Sequence, residues 1–121
     1  MIHIRSFFDL PPEAGRKGKA FSIANSTPNR VKVDGTVECL VPPWSLVRDF
    51  KAQKIDWEGY TDYYRDHLRK NWQRVKAWLQ SLDNSCLVYL CCWERTPDRC
   101  HRSLVAKMIR LHRPDLEVEL K

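Results

Sequence analysis

A chain of 121 residues can enclose one hydrophobic core and is too short for two, and a composition 43% apolar, with five Trp, four Tyr and four Phe, excludes a disordered polymer. Residues 1–8 lack the apolar core of a signal peptide and no apolar run approaches the ~18 residues of a membrane span, so a single cytoplasmic domain over residues 1–121 with no membrane partner is expected. The excess of 21 Lys+Arg over 15 Asp+Glu, a net +6, favours encounter with polyanions, and five cysteines without an export signal read as reduced thiols.

Residues 2–8 mix β-branched and aromatic side chains as a strand does, and Asp9 with Pro11-Pro12 ends it. Residues 13–19, with Gly15, Gly18 and several basic residues, read as a loop. Residues 20–24 and 36–41 are candidates for a second and a third strand, with turn signals between them. Pro42-Pro43 precede Trp44 and Ser45, after which Leu46, Val47 and Phe50 recur at helical spacing.

One long helix is predicted over about 57–82, because Tyr60, Tyr64, Leu68, Trp72, Val75, Leu79 and Leu82 step by three or four. Its opposite face carries Arg65, Arg69, Lys70, Arg74 and Lys76. The spacing of Tyr60, Tyr64 and Trp72 favours core packing over stacking on bases. After Asp83-Asn84-Ser85, the run Cys86-Leu87-Val88-Tyr89-Leu90-Cys91 is almost continuously apolar, as in a central strand covered on both faces, and Cys86 and Cys91 read as packing residues. A helix follows over about 97–112, with Thr96 as N-cap and Pro97 in its first position; Pro114 ends it, and residues 116–120 alternate as a last strand. Strand, helix and strand of these lengths form a right-handed βαβ unit. The fold class is therefore α/β: one domain, a mostly parallel sheet flanked by helices in a Rossmann-like three-layer arrangement.

Ligands of open parallel sheets bind beyond the carboxyl ends of strands, where residues 92–103 fall. Cys100 lies one turn before Leu104 and His101 one turn before Val105, so both are expected to point inward at the positive end of the helix, where an anion or a thiolate is favoured. Charged groups are costly to bury without purpose, so Glu94 and Arg102 crowded beside Cys92, Cys100 and His101 mark a site candidate.

The run Leu90-Cys91-Cys92-Trp93-Glu94, five residues, and then Cys100-His101-Arg102-Ser103-Leu104 resembles the C-terminal signature of the domain-of-unknown-function 488 family, in which a strand ending in Cys-x-Glu precedes a C-H-R-S helix start. Supporting similarities are the first strand ending near Arg5, the stretch from Pro42-Pro43 to Phe50 before Lys51, and the W-x-x-Y-x-x-x-Y pattern of Trp57, Tyr60 and Tyr64. The resemblance implies an α/β fold and a pocket shared by Cys92, Glu94, Cys100, His101 and Arg102. The family's usual Asp-Val-Arg reads Ile4-Arg5-Ser6 here, a departure at the acidic position.

Three functional readings compete. In the first, the pocket processes a nucleotide or nucleic acid: Arg5, Cys92 and Arg102 bind ligand, with Arg102 the main anchor for phosphate, Glu94 or His101 moves protons, and Cys100 is a candidate nucleophile. His101 projects about 100° from Cys100 around the helix, so it is not evidently its base. In the second, a non-catalytic module binds nucleic acid through the basic face of the long helix and the loop from Arg16 to Lys19. In the third, Cys91 or Cys92 joins Cys100 and His101 on zinc; the spacing lacks the usual pairs of ligands two to four residues apart, and no metal or other cofactor is expected.

Overall fold

The computed structural model describes residues 1–11 and 18–121. Five strands form one sheet: β1 (Ile2–Ser6), β2 (Lys19–Ser22), β3 (Gly35–Thr36), β4 (Val88–Cys92) and β5 (Val118–Leu120). Their order is β3-β2-β4-β1-β5, and every pairing is parallel. Four α-helices flank the sheet: α1 (Trp44–Lys51), α2 (Trp57–Lys70), α3 (Trp72–Gln80) and α4 (His101–His112). This is the α/β class that the sequence implies, consistent with a Rossmann-like three-layer arrangement. The expected loop over 13–19 lies outside the described residues except for Gly18 and Lys19.

β4 is the middle strand, and all five of its residues are buried. A strand hydrogen-bonded on both sides and covered on both faces has no position that tolerates a polar side chain without a partner, which is why its sequence reads Val-Tyr-Leu-Cys-Cys. Of the two cysteines expected to pack nearby, Cys91 is buried, and desolvation pushes its thiol up to about 12. Cys86 is instead exposed, because the chain reaches the sheet only at Val88.

Several elements are shorter than their sequence patterns: the first strand ends at Ser6, where Phe7–Asp9 turn into a 3-10 helix, and the last begins only at Val118. The third strand is only Gly35–Thr36, since the chain then turns into a 3-10 helix at Glu38–Leu40 that buries Leu40. The long helix is broken at Asn71, whose backbone (φ −107°, ψ 20°) ends α2 and whose side-chain amide donates to the His67 carbonyl at 2.9 Å. The Asn71 backbone N–H donates to the same carbonyl at 3.2 Å, so His67 accepts both bonds at the end of α2. The break redirects the chain so that Trp72 meets His112, with ring centroids 4.7 Å apart, while Val75 and Leu79 stay buried. It also divides the basic residues. Arg65 and Arg69 border a groove of about 610 Å³ shared with Lys107 and Leu111 of α4, Arg74 lines a different hollow, and Lys70 pairs with Asp66.

The last helix begins at His101 rather than Pro97. Arg99 is left-handed (φ 53°) and Cys100 is the extended N-cap, so residues 93–100 form a folded-back loop and Thr96 is no cap. Tyr64 locks α2 to the preceding 3-10 helix, its buried hydroxyl donating to the Leu40 carbonyl at 2.6 Å. Tyr64→Phe leaves that carbonyl unpaired and is expected to lower unfolding stability by about 1–2 kcal/mol in denaturant titrations. Parental stability in the variant would mean the bond contributes nothing.

Candidate functional site

The carboxyl ends of β2 and β4 lie side by side, and the loops that leave them enclose a cavity of about 240 Å³ with α1 and α2. The cavity wall is aromatic: Trp44 and Phe50 from α1, Tyr60 from α2, and Trp93 from the loop after β4. Trp93 is fixed by its indole N–H, which donates to the Ser26 carbonyl at 2.8 Å. Glu94, Cys100 and His101 line the same space, as do Lys51 and Arg99, which are exposed and make no ion pair with the described residues.

His101 is 5% exposed, with Nε2 2.7 Å from the Ile23 carbonyl oxygen. A carbonyl can only accept, so Nε2 carries the proton and Nδ1 presents a lone pair, directed at Cys100 Sγ 3.9 Å away. The ~100° divergence expected between His101 and Cys100 does not apply here. It assumed both residues inside a regular helix, whereas Cys100 is the extended cap before the first turn. Cys100 Sγ also lies 3.0 Å from Cys92 Sγ and 3.6 Å from Glu94 Oε2. The hydrogen bond to Cys92, together with burial, pushes the Cys100 thiol well above its ordinary range; His101 opposes this without reversing it. Cys100 thus holds its proton at neutral pH until a partner removes it.

Arg102 is completely buried. Its Nη1 donates to the Glu94 backbone carbonyl and to Cys92 Sγ, the latter at 3.4 Å, while Nε and Nη2 have no partner among the described residues. The loop over 94–99 thus wraps a guanidinium, which explains why it does not wind into the helix predicted there. Arg102 does not line the cavity. Arg5 stands apart from this group: its Nη2 pairs with Glu119 at 2.7 Å, and its guanidinium lies 5.6 Å from the centre of the Tyr89 ring.

The structure brings Cys92, Glu94, Cys100, His101 and Arg102 together and leaves Arg5 outside. The donor atoms of Cys92, Cys100 and His101 lie within 4.8 Å of one another, the set that the zinc reading names with Cys92, although its linear spacing lacks the usual close ligand pairs. Sequence reasoning also missed Trp44, Phe50, Lys51, Trp93 and Arg99 as cavity residues. The signal available for the first three was the stretch from Pro42-Pro43 to Lys51, which carries part of the family resemblance and folds over the signature.

Among the described residues, no helix is long and apolar enough to cross a membrane. No curated protein and no solved structure matches the chain. A family model does: residues 11–113 match the one described as the active DUF488-N3 subclade, DUF488-N3a. A match over most of the chain, containing the whole Cys-x-Glu and C-H-R-S signature, places this protein in the DUF488-N3a family.

Proposed function

We propose that the cavity binds a nucleotide, holding its base and sugar between the aromatic walls and its phosphate at Lys51 and Arg99, with Glu94 and His101 as the groups that move protons. The observation that carries this reading is the make-up of the lining: four aromatic side chains, two exposed cations, a carboxylate, and a buried imidazole whose Nδ1 faces Cys100. Aromatic faces stack bases regardless of sequence, and charge-assisted bonds hold phosphate. A volume of about 240 Å³ is below the roughly 300 Å³ at which drug-sized sites begin, so one nucleoside unit is favoured over a buried stretch of polymer.

Phosphate anchoring moves from Arg102 to Arg99 and Lys51 in this reading, because a fully buried guanidinium that does not line the cavity cannot meet a ligand there. Arg102 acts as a positioning residue for Glu94. The carboxylate beside an imidazole suits hydrolytic or glycosidic chemistry, in keeping with a family described as active. The alternative of a nucleic-acid module on the long helix loses support because the break at Asn71 divides its basic face.

Calorimetric titration with mononucleotides and the matching nucleosides tests the proposal. Lys51→Ala and Arg99→Ala are each expected to weaken nucleotide binding about tenfold, the equivalent of one charge-assisted bond, and to leave nucleoside binding nearly unchanged. Equal nucleotide affinity in the parent and the double variant would remove the anchor, and absence of saturable binding by any nucleotide would remove the function.

A further inference from the structure

Two of the buried groups have no part in holding a nucleotide: the sulfurs of Cys92 and Cys100, 3.0 Å apart, of which Cys100 lines the cavity and Cys92 lies behind it. They belong to different elements, the last residue of β4 and the N-cap of α4, and the seven residues between them carry Trp93, Glu94 and Arg99 of the cavity wall. The separation is shorter than two unbonded sulfurs ordinarily tolerate unless a hydrogen bond links them, and a disulfide requires a further approach of only about 1 Å to reach the ~2.05 Å bond. Cys92 has the buried Arg102 guanidinium against its sulfur. Cys100 faces the cavity and has the unprotonated Nδ1 of His101 beside it. The cation behind one thiol and the base beside the other work against the burial and the Cys92 hydrogen bond that hold the Cys100 proton.

We infer that Cys92 and Cys100 are a redox-active pair, oxidised to a disulfide by hydrogen peroxide that enters through the cavity. Cys100 gives its proton to His101 Nδ1, and its sulfur attacks one peroxide oxygen. The S–O bond forms as the O–O bond breaks, and the departing hydroxide takes the proton from His101 and leaves as water. Cys100 is then a sulfenic acid. Cys92 attacks the Cys100 sulfur, the S–S bond forms, the S–O bond breaks, and the leaving hydroxide takes the Cys92 proton as a second water. Two thiols and one peroxide become one disulfide and two waters, with two electrons passing from sulfur to oxygen. Peroxide is small enough for a cavity of this size, and Cys100, the one of the two cysteines that lines it, is the one oxidised first.

The bond removes the Cys100 thiol from Glu94 and staples the loop that carries three wall residues. Oxidation is therefore expected to weaken ligand binding at the cavity, a consequence that rests on the nucleotide reading, whereas the disulfide itself does not. The disulfide is measured on the intact protein treated with peroxide, alkylated after denaturation and digested with trypsin, and ligand binding by calorimetric titration of an undigested portion of the oxidised protein. Cleavage after Arg95 and Arg99 separates the two cysteines, so a disulfide joins the peptide Cys100-His101-Arg102 to the peptide spanning 77–95. Fragmentation is expected to place the link on Cys92, with loss of two hydrogens and full reversal by dithiothreitol. Alkylated Cys92 and Cys100 after peroxide treatment would overturn the inference. So would a link at Cys86 or Cys91, or stoichiometric zinc on the purified protein that is released when Cys92 or Cys100 is replaced by Ser. A disulfide that forms in a protein binding no nucleotide would leave this inference standing and sink the proposed function alone.

Discussion

Arg102→Met is expected to yield a folded protein at least as stable as the parent, by up to a few kcal/mol, that binds nucleotide at least tenfold more weakly. Arg102 is completely buried, and Nε and Nη2 lack partners among the described residues. Each buried donor left unpaired costs about 1–3 kcal/mol, and replacing buried ionic groups with apolar side chains of similar volume has stabilised other proteins by about 1–4 kcal/mol. Methionine fills much of the same space and is adaptable enough to pack beside Cys92. What it cannot do is donate to the Glu94 carbonyl, the tie that folds the loop back over the helix start. Without that tie the Glu94 carboxylate is no longer held at the cavity, so binding suffers while the fold does not. Arg102→Lys keeps the charge and loses the planar fork, and is expected to be less stable than Arg102→Met with equally poor binding. Denaturant unfolding and nucleotide titration on both variants decide the matter. A methionine variant destabilised by more than about 2 kcal/mol would show that the guanidinium holds the fold together, and parental affinity in it would show that Glu94 needs no tie.

Gly18→Ala is expected to destabilise the protein by about 3 kcal/mol, the upper end for overpacking. A Cβ built at Gly18 falls 2.1 Å from the Leu87 carbonyl oxygen and 2.7 Å from the Leu87 Cβ, contacts too close for real atoms. Neither obstacle is the movable end of a long side chain. The Leu87 carbonyl also accepts from the Lys19 backbone N–H at 2.9 Å, the first bond that ties β2 to the approach of β4. Relief of the clash therefore displaces β2 from the central strand. Because β2 carries Ile23 and Ala24 into place, the carbonyl that orients His101 moves with it. Thermal melting and calorimetric nucleotide titration should fall together; a variant that melts at the parental temperature would show that the two backbones separate without cost.

The legible parts of the fold were those with dense local patterns. The apolar run at 86–91 marked a central strand, and from Val88 to Cys92 every residue is buried as cover on both faces requires, whereas Cys86 at the start of the run is exposed. The break at Asn71 was not legible. The apolar stripe continues through it at helical spacing, and the break shows only in the Asn71 backbone, the side-chain bond to the His67 carbonyl and the packing of Trp72 on His112. Likewise Thr96-Pro97 is a sound helix start locally, yet Arg99 is left-handed and Cys100 extended, so the helix begins at His101, with the Glu94 carbonyl held by the buried Arg102.

The composition of the site was readable from the sequence alone: Cys92, Glu94, Cys100, His101 and Arg102 fall within eleven residues after one strand, and residue type with strand position marked them. Their roles were decided by tertiary structure. Whether Arg102 faces a ligand or the core, and whether the His101 lone pair meets Cys100, depends on a left-handed Arg99 and on the Ile23 carbonyl, 78 residues away in the chain. The aromatic wall likewise exists only because α1 and α2 cross over the loop after β4. Periodicity reports which face of an element is buried. It carries no information on which distant backbone group will satisfy a buried donor, and at this site those long-range bonds set the direction of every reactive atom.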